Sequence, residues 1–483
     1  MSRWMSLPRV RASGVLAGLF ALGLGALTCQ AESAATLPST VVEGVADSGD
    51  TAWLLISSAL VMLMMPGLAL FYAGMVRRKN VLGTMMQSMA VLGIVGLEWV
   101  IIGYALSFGG HGNKFVGWDN QLLFLNGVLP NMLHNGTKVP ELVFIMFQGM
   151  FAIITPALIT GAFAERVQFK SYAVFMLLWS LVVYNPLCHM VWGGGWLGAG
   201  EGNMGALDFA GGTVVHISAG VSALVMALYL GKRIGYPSHV LQPNSLVLTL
   251  LGAGMLWFGW FGFNGGSAVA SNGLAGLAFT TTMIAAAAGS MGWLIAEWLR
   301  HGRPTTLGFA SGLVAGLVAI TPASGFVPPW AAIVIGLVAG VICYEAVLIK
   351  AKLGYDDSLD AFGVHGVGGF LGALLTGVFA VKAFGGTSGL VDGASGQVWS
   401  QLVAGLTAAG YAAAATLVLA VVIDKVMGLR LSGKYEIEGI DAAEHGEQGW
   451  MLDSVPLPTV GLPGDQSVDV AEVLRRETTP VKR

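Results

Sequence analysis

Charge is what this chain of 483 residues has least of. Only 11% of its positions are Asp, Glu, Lys or Arg, against about 25% in ordinary soluble domains. Two to four soluble domains would be the usual expectation for this length, but their surfaces would need far more charge. Cysteine is almost absent as well, with three residues in all. Cys29, Cys188 and Cys343 lie far apart, the last two inside separate apolar runs, so neither a disulfide framework nor a metal-ligand spacing can be built. The thiols read as small apolar packing groups. No basic stripe suggests nucleic acid, and the net charge of −3 says little about partners. Present instead are 55% hydrophobic residues and 70 glycines, the latter about twice the usual share of roughly 7%. The glycines keep no three-residue period, which excludes collagen, and the apolar content excludes disorder. A polytopic membrane protein packed through small residues remains.

Residues 1–31 read as a signal peptide. Arg3, Arg9 and Arg11 form a basic region, Gly14–Leu27 an apolar stretch, and Cys29-Gln30-Ala31 a small-residue cleavage site. Eleven long apolar segments follow, near 51–76, 82–107, 141–164, 171–192, 209–231, 244–264, 274–299, 305–323, 329–350, 361–381 and 399–427. They predict an all-α protein with eleven transmembrane helices over 51–427, followed by a cytoplasmic tail over 428–483. Basic residues follow every odd segment: Arg77, Arg78 and Lys79, then Arg166 and Lys170, Lys232 and Arg233, Arg300 and Arg303, Lys350 and Lys352. The opposite loops carry only Lys114, Lys138 and Lys382. The positive-inside rule therefore predicts the mature N-terminus outside and the C-terminus in the cytoplasm.

An odd count suggests two five-helix halves plus a C-terminal helix. Segment five opens with Asp208 and reaches His216; segment ten opens with Asp360 and reaches His365. Five segments apart, these runs enter from opposite faces, as inverted repeats with a site at their interface would. An ionisable group inside the hydrocarbon needs partners or a cavity and is a functional candidate by default. His216 and His365 both fall near mid-membrane, where a neutral imidazole offers one donor and one acceptor to a small polar solute. The bland alternative is a pair bonding only helix to helix.

Asp208 suits a helix N-cap and also a buried anion that biases a vestibule toward cations. Asp356 reads as solvated loop charge and Asp360 as a cap for segment ten. Glu297 and Glu345 lie close enough to segment ends to snorkel or pair with Arg300 or Lys350. Glu98 is deeper and has no evident partner in the sequence. His189 reads as a structural hydrogen-bonder.

Among aromatics, Phe147 and Phe151 share a helix face, and Trp260, Phe263 and Ser267 follow helical spacing unless Gly265-Gly266 unwinds the chain first. Trp192 precedes three glycines at a boundary. Each alone would pass as an interfacial belt or packing; beside two Asp-to-His runs they suggest cation recognition, which gains roughly 0.5–2 kcal/mol per aromatic face.

These residues lie in runs that resemble the ammonium transporter (Amt/Mep/Rh) family, on the bacterial Amt side. The matching runs are Pro66–Gly74, Gly161–Arg166, Asp208–His216, Trp260–Ser267, Asp360–Gly366 and Gly439–Gly446, in order over about 51–450. The resemblance implies a homotrimer with one path per subunit in the bacterial inner membrane. It implies an outer ammonium recruitment site at Trp192, Phe147 and Ser267 with the vestibule acid Asp208. Phe151 and Phe263 match its phenyl gate, His216 and His365 its twin histidines, and Trp260 a pore-lining tryptophan. Ammonium would be captured, deprotonated near the gate and passed as ammonia, with any proton moving separately. No cofactor, metal or enzymatic step is implied. A PII-type signalling protein is the expected cytoplasmic partner. Two departures stand out: the Trp192–Asp208 loop is long, with Trp196 and Glu201 added, and 451–483 extends past the usual tail. The alternative is an ammonium sensor with the same fold, against which the short tail after 427 weighs.

Overall fold

The computed structural model describes residues 37–238 and 241–450. The expected signal peptide and the extension beyond 450 lie outside the described residues. The rest is helical apart from a two-stranded antiparallel ribbon, β1 (Val41–Glu43) and β2 (Met132–His134), in which Val41 pairs with His134.

Among the described residues, ten helices are long and apolar enough to cross a membrane. They are α1 (Ser48–Met75), α2 (Arg78–Phe108), α3 (Glu141–Phe163), α4 (Phe169–Val191), α5 (Gly212–Leu230), α6 (Leu246–Gly266), α7 (Gly273–His301), α9 (Pro329–Leu353), α10 (Phe362–Phe379) and α11 (Gly396–Met427). The eleventh expected span differs. It is α8 (Thr306–Ile320), only 15 residues long, or about 22 Å at 1.5 Å per residue, short of a hydrocarbon core of about 30 Å. Its helical run stops just before Thr321-Pro322, where proline removes a donor. From Leu313 to Ile320 its side chains are buried by neighbouring helices rather than presented outward. Large apolar side chains such as Leu251, Leu299 and Val418 face outward, as the lipid-facing surface of a membrane protein requires.

Two spans open in wide turns, Gly212–Ile217 and Phe362–Gly366. Each turn carries one of the two mid-membrane histidines. There the glycine excess has a defined use. A Cβ on Gly220 would lie 2.1 Å from the Gly366 nitrogen, and one on Gly369 would lie 2.8 Å from the His216 Cβ. Only glycine lets the backbones of α5 and α10 touch this closely, the small-residue packing that membrane helices use in place of a hydrophobic drive. Gly211, which starts the first turn, has φ +114° and needs glycine for a second reason.

One face of the bundle is built from charge. Arg233 grips Asp356 through Nε and Nη2 at 2.9 and 2.8 Å and reaches Glu165 at 3.2 Å. Arg77 holds the same Glu165 at 3.0 Å, and Arg166 lies 3.7 Å from Asp356. Asp356 is therefore not solvated loop charge: it is 1% exposed, inside an ion network. The tail closes over this face. Glu436 accepts from the Ile234 amide, Asp441 from the Gly83 amide and Glu444 from the Phe169 amide. Two of these acids serve the free amides at the starts of α2 and α4.

Candidate functional site

The site begins at Asp208. Its two carboxylate oxygens accept from the amides of Gly211, Gly212, Thr213 and Val214 at 2.6–3.0 Å. These are the unpaired amides of a helix start, so the residue is a cap of unusual reach. It also lines an open cavity of about 410 Å³ with Trp192, Phe151, Phe144, Phe108, His134, Gln148 and Ser267. The expected cap and the expected vestibule acid are one residue. The Trp192 indole donates to the Asp208 carbonyl at 2.8 Å, which ties the long 192–208 loop to the rim. Trp196, one of the additions in that loop, packs its ring beside Phe115 and its indole N–H on the Met190 sulfur.

At the floor of the cavity, Phe151 and Phe263 stack with ring centres 4.2 Å apart. Phe147 lies behind them, 5.0 Å from Phe151 and fully buried, so it supports that ring and is absent from the vestibule wall. α6 runs helically through Gly265 and Gly266 and ends at Ser267, whose hydroxyl donates to the Phe263 carbonyl. Gly266 thus brings the backbone against Phe147, and Gly265 brings it against Trp53, rather than unwinding the helix.

Below the phenylalanines lie the histidines. Their Nδ1 atoms are 3.3 Å apart and their rings nearly parallel at 5.3 Å. Two neutral rings in this geometry share one Nδ1 proton, which leaves one Nε2 as a donor and the other as an acceptor. Trp260 stacks 5.5 Å from His216 and is locked by an indole bond to the Thr321 hydroxyl at 2.9 Å. The surrounding wall is apolar: Met64, Leu68, Phe71, Ile154, Leu158, Val215, Leu256 and Val314. Empty space here totals about 340 Å³, but only about 10 Å³ is wide enough for the centre of a water-sized molecule. His216 Nε2 is buried with no partner. A stranded polar atom costs about 1–3 kcal/mol, so it implies a ligand or water that completes it.

The second half-site corrects the sequence reading. Asp357, not Asp360, caps α10: its carboxylate accepts from the Ala361 and Phe362 amides at 3.1 and 2.8 Å. Asp357 precedes His365 by eight positions, the spacing of Asp208 from His216. Asp360 instead takes φ +62° and pairs with Lys350. The equal spacing was available in the sequence, but three nearby acids hid it.

The profile of the Ammonium Transporter Family matches residues 52–450. The chain belongs to the ammonium transporter family. Among bacterial relatives, the ammonium transporter of Bacillus subtilis is 46% identical over 405 residues, covering 83% of this chain and 98% of the relative. That of Aquifex aeolicus is 47% identical over 412 residues, covering 85% and 95%. In structure the chain is similar to Candida albicans Mep2, with TM-score 0.77 and 34% identity over 84% of this chain and 94% of that one. It is also similar to a protein titled Sensor Amt Protein, with TM-score 0.76 and 29% identity over 82% and 98%. Ammonium transport and a multi-pass membrane architecture follow for the family as a whole.

Within this ammonium transporter fold four further polar groups that the sequence singled out find partners. Glu98, which the sequence left alone, accepts from Asn185 at 2.7 Å and Ser180 at 2.9 Å. His189 faces two carbonyls, of Ser107 and Asn113, as a structural hydrogen-bonder does. Glu345 pairs with Arg300, whereas Glu297 bonds Thr305 rather than a cation.

Proposed function

We propose that this protein carries ammonium across a bacterial inner membrane as ammonia. Ammonium is drawn to the vestibule by the field of Asp208 and by the faces of Trp192 and Phe151, with Ser267 at the rim and Phe147 backing the ring below. It gives up its proton at the stacked Phe151–Phe263 pair, and ammonia passes His216, His365 and Trp260. The proton travels separately, or is returned outside.

One observation carries this reading: the passage beyond the phenylalanines is too narrow and too apolar for a hydrated ion, yet holds one unpartnered imidazole nitrogen. Potassium matches ammonium in size and charge, so aromatic faces and an acid cannot separate them. Loss of a proton can, because a bare ion would forfeit its hydration while neutral ammonia forfeits little.

The mature chain would have its N-terminus outside after loss of 1–31, its transport domain over 51–427 and a cytoplasmic tail from 428. It would assemble as a homotrimer and meet a PII-type protein on the basic face. A second reading, an ammonium sensor acting through a cytoplasmic partner, is favoured only by the likeness to the protein titled Sensor Amt Protein. Proteoliposomes decide between them. An ammonium step should evoke a current or an internal pH change, and neither response from wild-type protein would refute transport.

A further inference from the structure

The lining of the vestibule holds a residue that the pathway above does not use. His134 ends β2, and its ring lies flat on Phe144 with centres 3.5 Å apart and planes 11° apart. Phe108 closes it edge-on at 6.4 Å. Its Nδ1 lies 2.8 Å from Glu141 Oε2. Glu141 is fully buried, and its other oxygen accepts from the Thr40 hydroxyl at 2.5 Å and from the Tyr104 hydroxyl.

A carboxylate that takes three donors has none to give. The Nδ1 of His134 must therefore be the donor, which leaves Nε2 of the neutral ring as a lone-pair acceptor. A buried carboxylate behind a histidine fixes tautomer and orientation in this way wherever an imidazole must present one defined nitrogen. Nε2 has no protein partner among the described residues, and the side chain keeps 17% exposure in the cavity it shares with Asp208 and Trp192. In the same cavity the Gln148 carbonyl oxygen is buried and unpartnered. An imidazole acceptor and an unpartnered carboxamide oxygen, with no lysine or arginine among the lining residues of the cavity, suit a ligand that brings N–H donors.

We propose that His134 is an ammonium-recruiting residue of the vestibule, accepting an N–H through Nε2, and that Glu141 is the residue that positions it. This rests on the transport reading. The pair supplies an acceptor to the cavity that Asp208 also lines, so a small donor ion there meets both a carboxylate field and an imidazole lone pair.

The test uses full-length protein in proteoliposomes and reads half-saturation separately from maximal ammonium current. His134→Phe keeps the stack on Phe144 and removes the acceptor; half-saturation should rise about three- to tenfold, more than maximal current falls. His134→Gln restores an acceptor and should recover at least half of that shift. Glu141→Gln, which leaves Nε2 without a fixed proton state, should raise half-saturation by less than His134→Phe. If His134→Phe keeps wild-type half-saturation, or if His134→Gln and His134→Phe are equally impaired in both parameters, the proposal is overturned and the residue is structural. A wild-type protein that gives neither an ammonium current nor an internal pH change would instead refute transport itself, a distinct result.

Discussion

The unit Asp208–His216 opens α5 and the unit Asp357–His365 opens α10, and the two share one construction. Each places an aspartate eight positions before a histidine, bonds it to the free amides of a wide first turn, and delivers the imidazole to the middle of the bundle. Their surroundings differ. Asp208 faces an open cavity and has no ion-pair partner among the described residues. Asp357 sits beside a network in which Arg77, Arg166, Arg233 and Lys350 are matched by Glu165, Asp356 and Asp360. The same local device thus lines an open cavity in one unit and adjoins a charged, tail-covered face in the other. An unbalanced carboxylate projects a field into a cleft; a balanced one holds loops in place.

The sharpest way to break this comparison is to remove each aspartate in turn. Asp208→Ala should reduce ammonium flux to the liposome background, because cap and field are lost together. Asp357→Ala removes a cap alone, at about 0.5–2 kcal/mol, and should lower thermal stability while retaining measurable flux. Full transport by Asp208→Ala would reduce that residue to a cap, and the proposed asymmetry would fail.

Next in size is the charged mouth. Arg233→Ala takes one cationic partner from each of two buried carboxylates and leaves them Arg77 and Arg166; losing such a partner costs up to about 3–5 kcal/mol and should show as early unfolding in detergent. The network also predicts acid sensitivity. Burial pushes the Glu165 carboxyl up, but Arg233 and Arg77 outweigh it and hold it below the ordinary range. Burial likewise opposes Asp356, and Arg233 with Arg166 outweigh it. Depressed carboxylates contribute stability that is complete above their unfolded values, about 4, and lost as pH falls through the lower folded ones. The melting temperature should therefore be insensitive to this network from pH 7 to 5 and drop below about pH 4. In Arg233→Ala that acid-dependent step should be smaller. An equal step in both proteins would mean that other groups set it.

A smaller effect than at the charged mouth is expected at the contact between the two units. Gly220→Ala drives a methyl into the Gly366 backbone, and overpacking of this kind costs about 1–3 kcal/mol. A melting temperature unchanged from wild type would show that α5 and α10 yield more easily than their packing suggests.

Much of this was readable before any coordinates. The spans, the two histidines and the aromatic residues above them stand out because each is anomalous within its own segment: an imidazole in an apolar run, or a ring at helical spacing near glycines. What the sequence concealed depends on partners far along the chain. Asp356 looks like a loop acid until Arg233, 123 positions away, is brought to it. Glu98 looks stranded until α4 delivers Asn185. Glu141 and His134 lie seven positions apart, yet their meaning requires Tyr104 and Thr40 from other elements. Hydropathy marks α8 as apolar but registers neither its short helical run nor its enclosure by protein.

The central claim is that the narrow passage past His216 and His365 admits the substrate only after it has lost its proton. Current on matched ammonium and potassium steps, in wild-type proteoliposomes and in the His216→Ala, His365→Ala double variant, tests it most directly. The wild-type protein should respond to ammonium and exclude potassium, and the double variant should lose ammonium flux or admit potassium. Normal ammonium rates with unchanged potassium exclusion in the double variant would contradict the account.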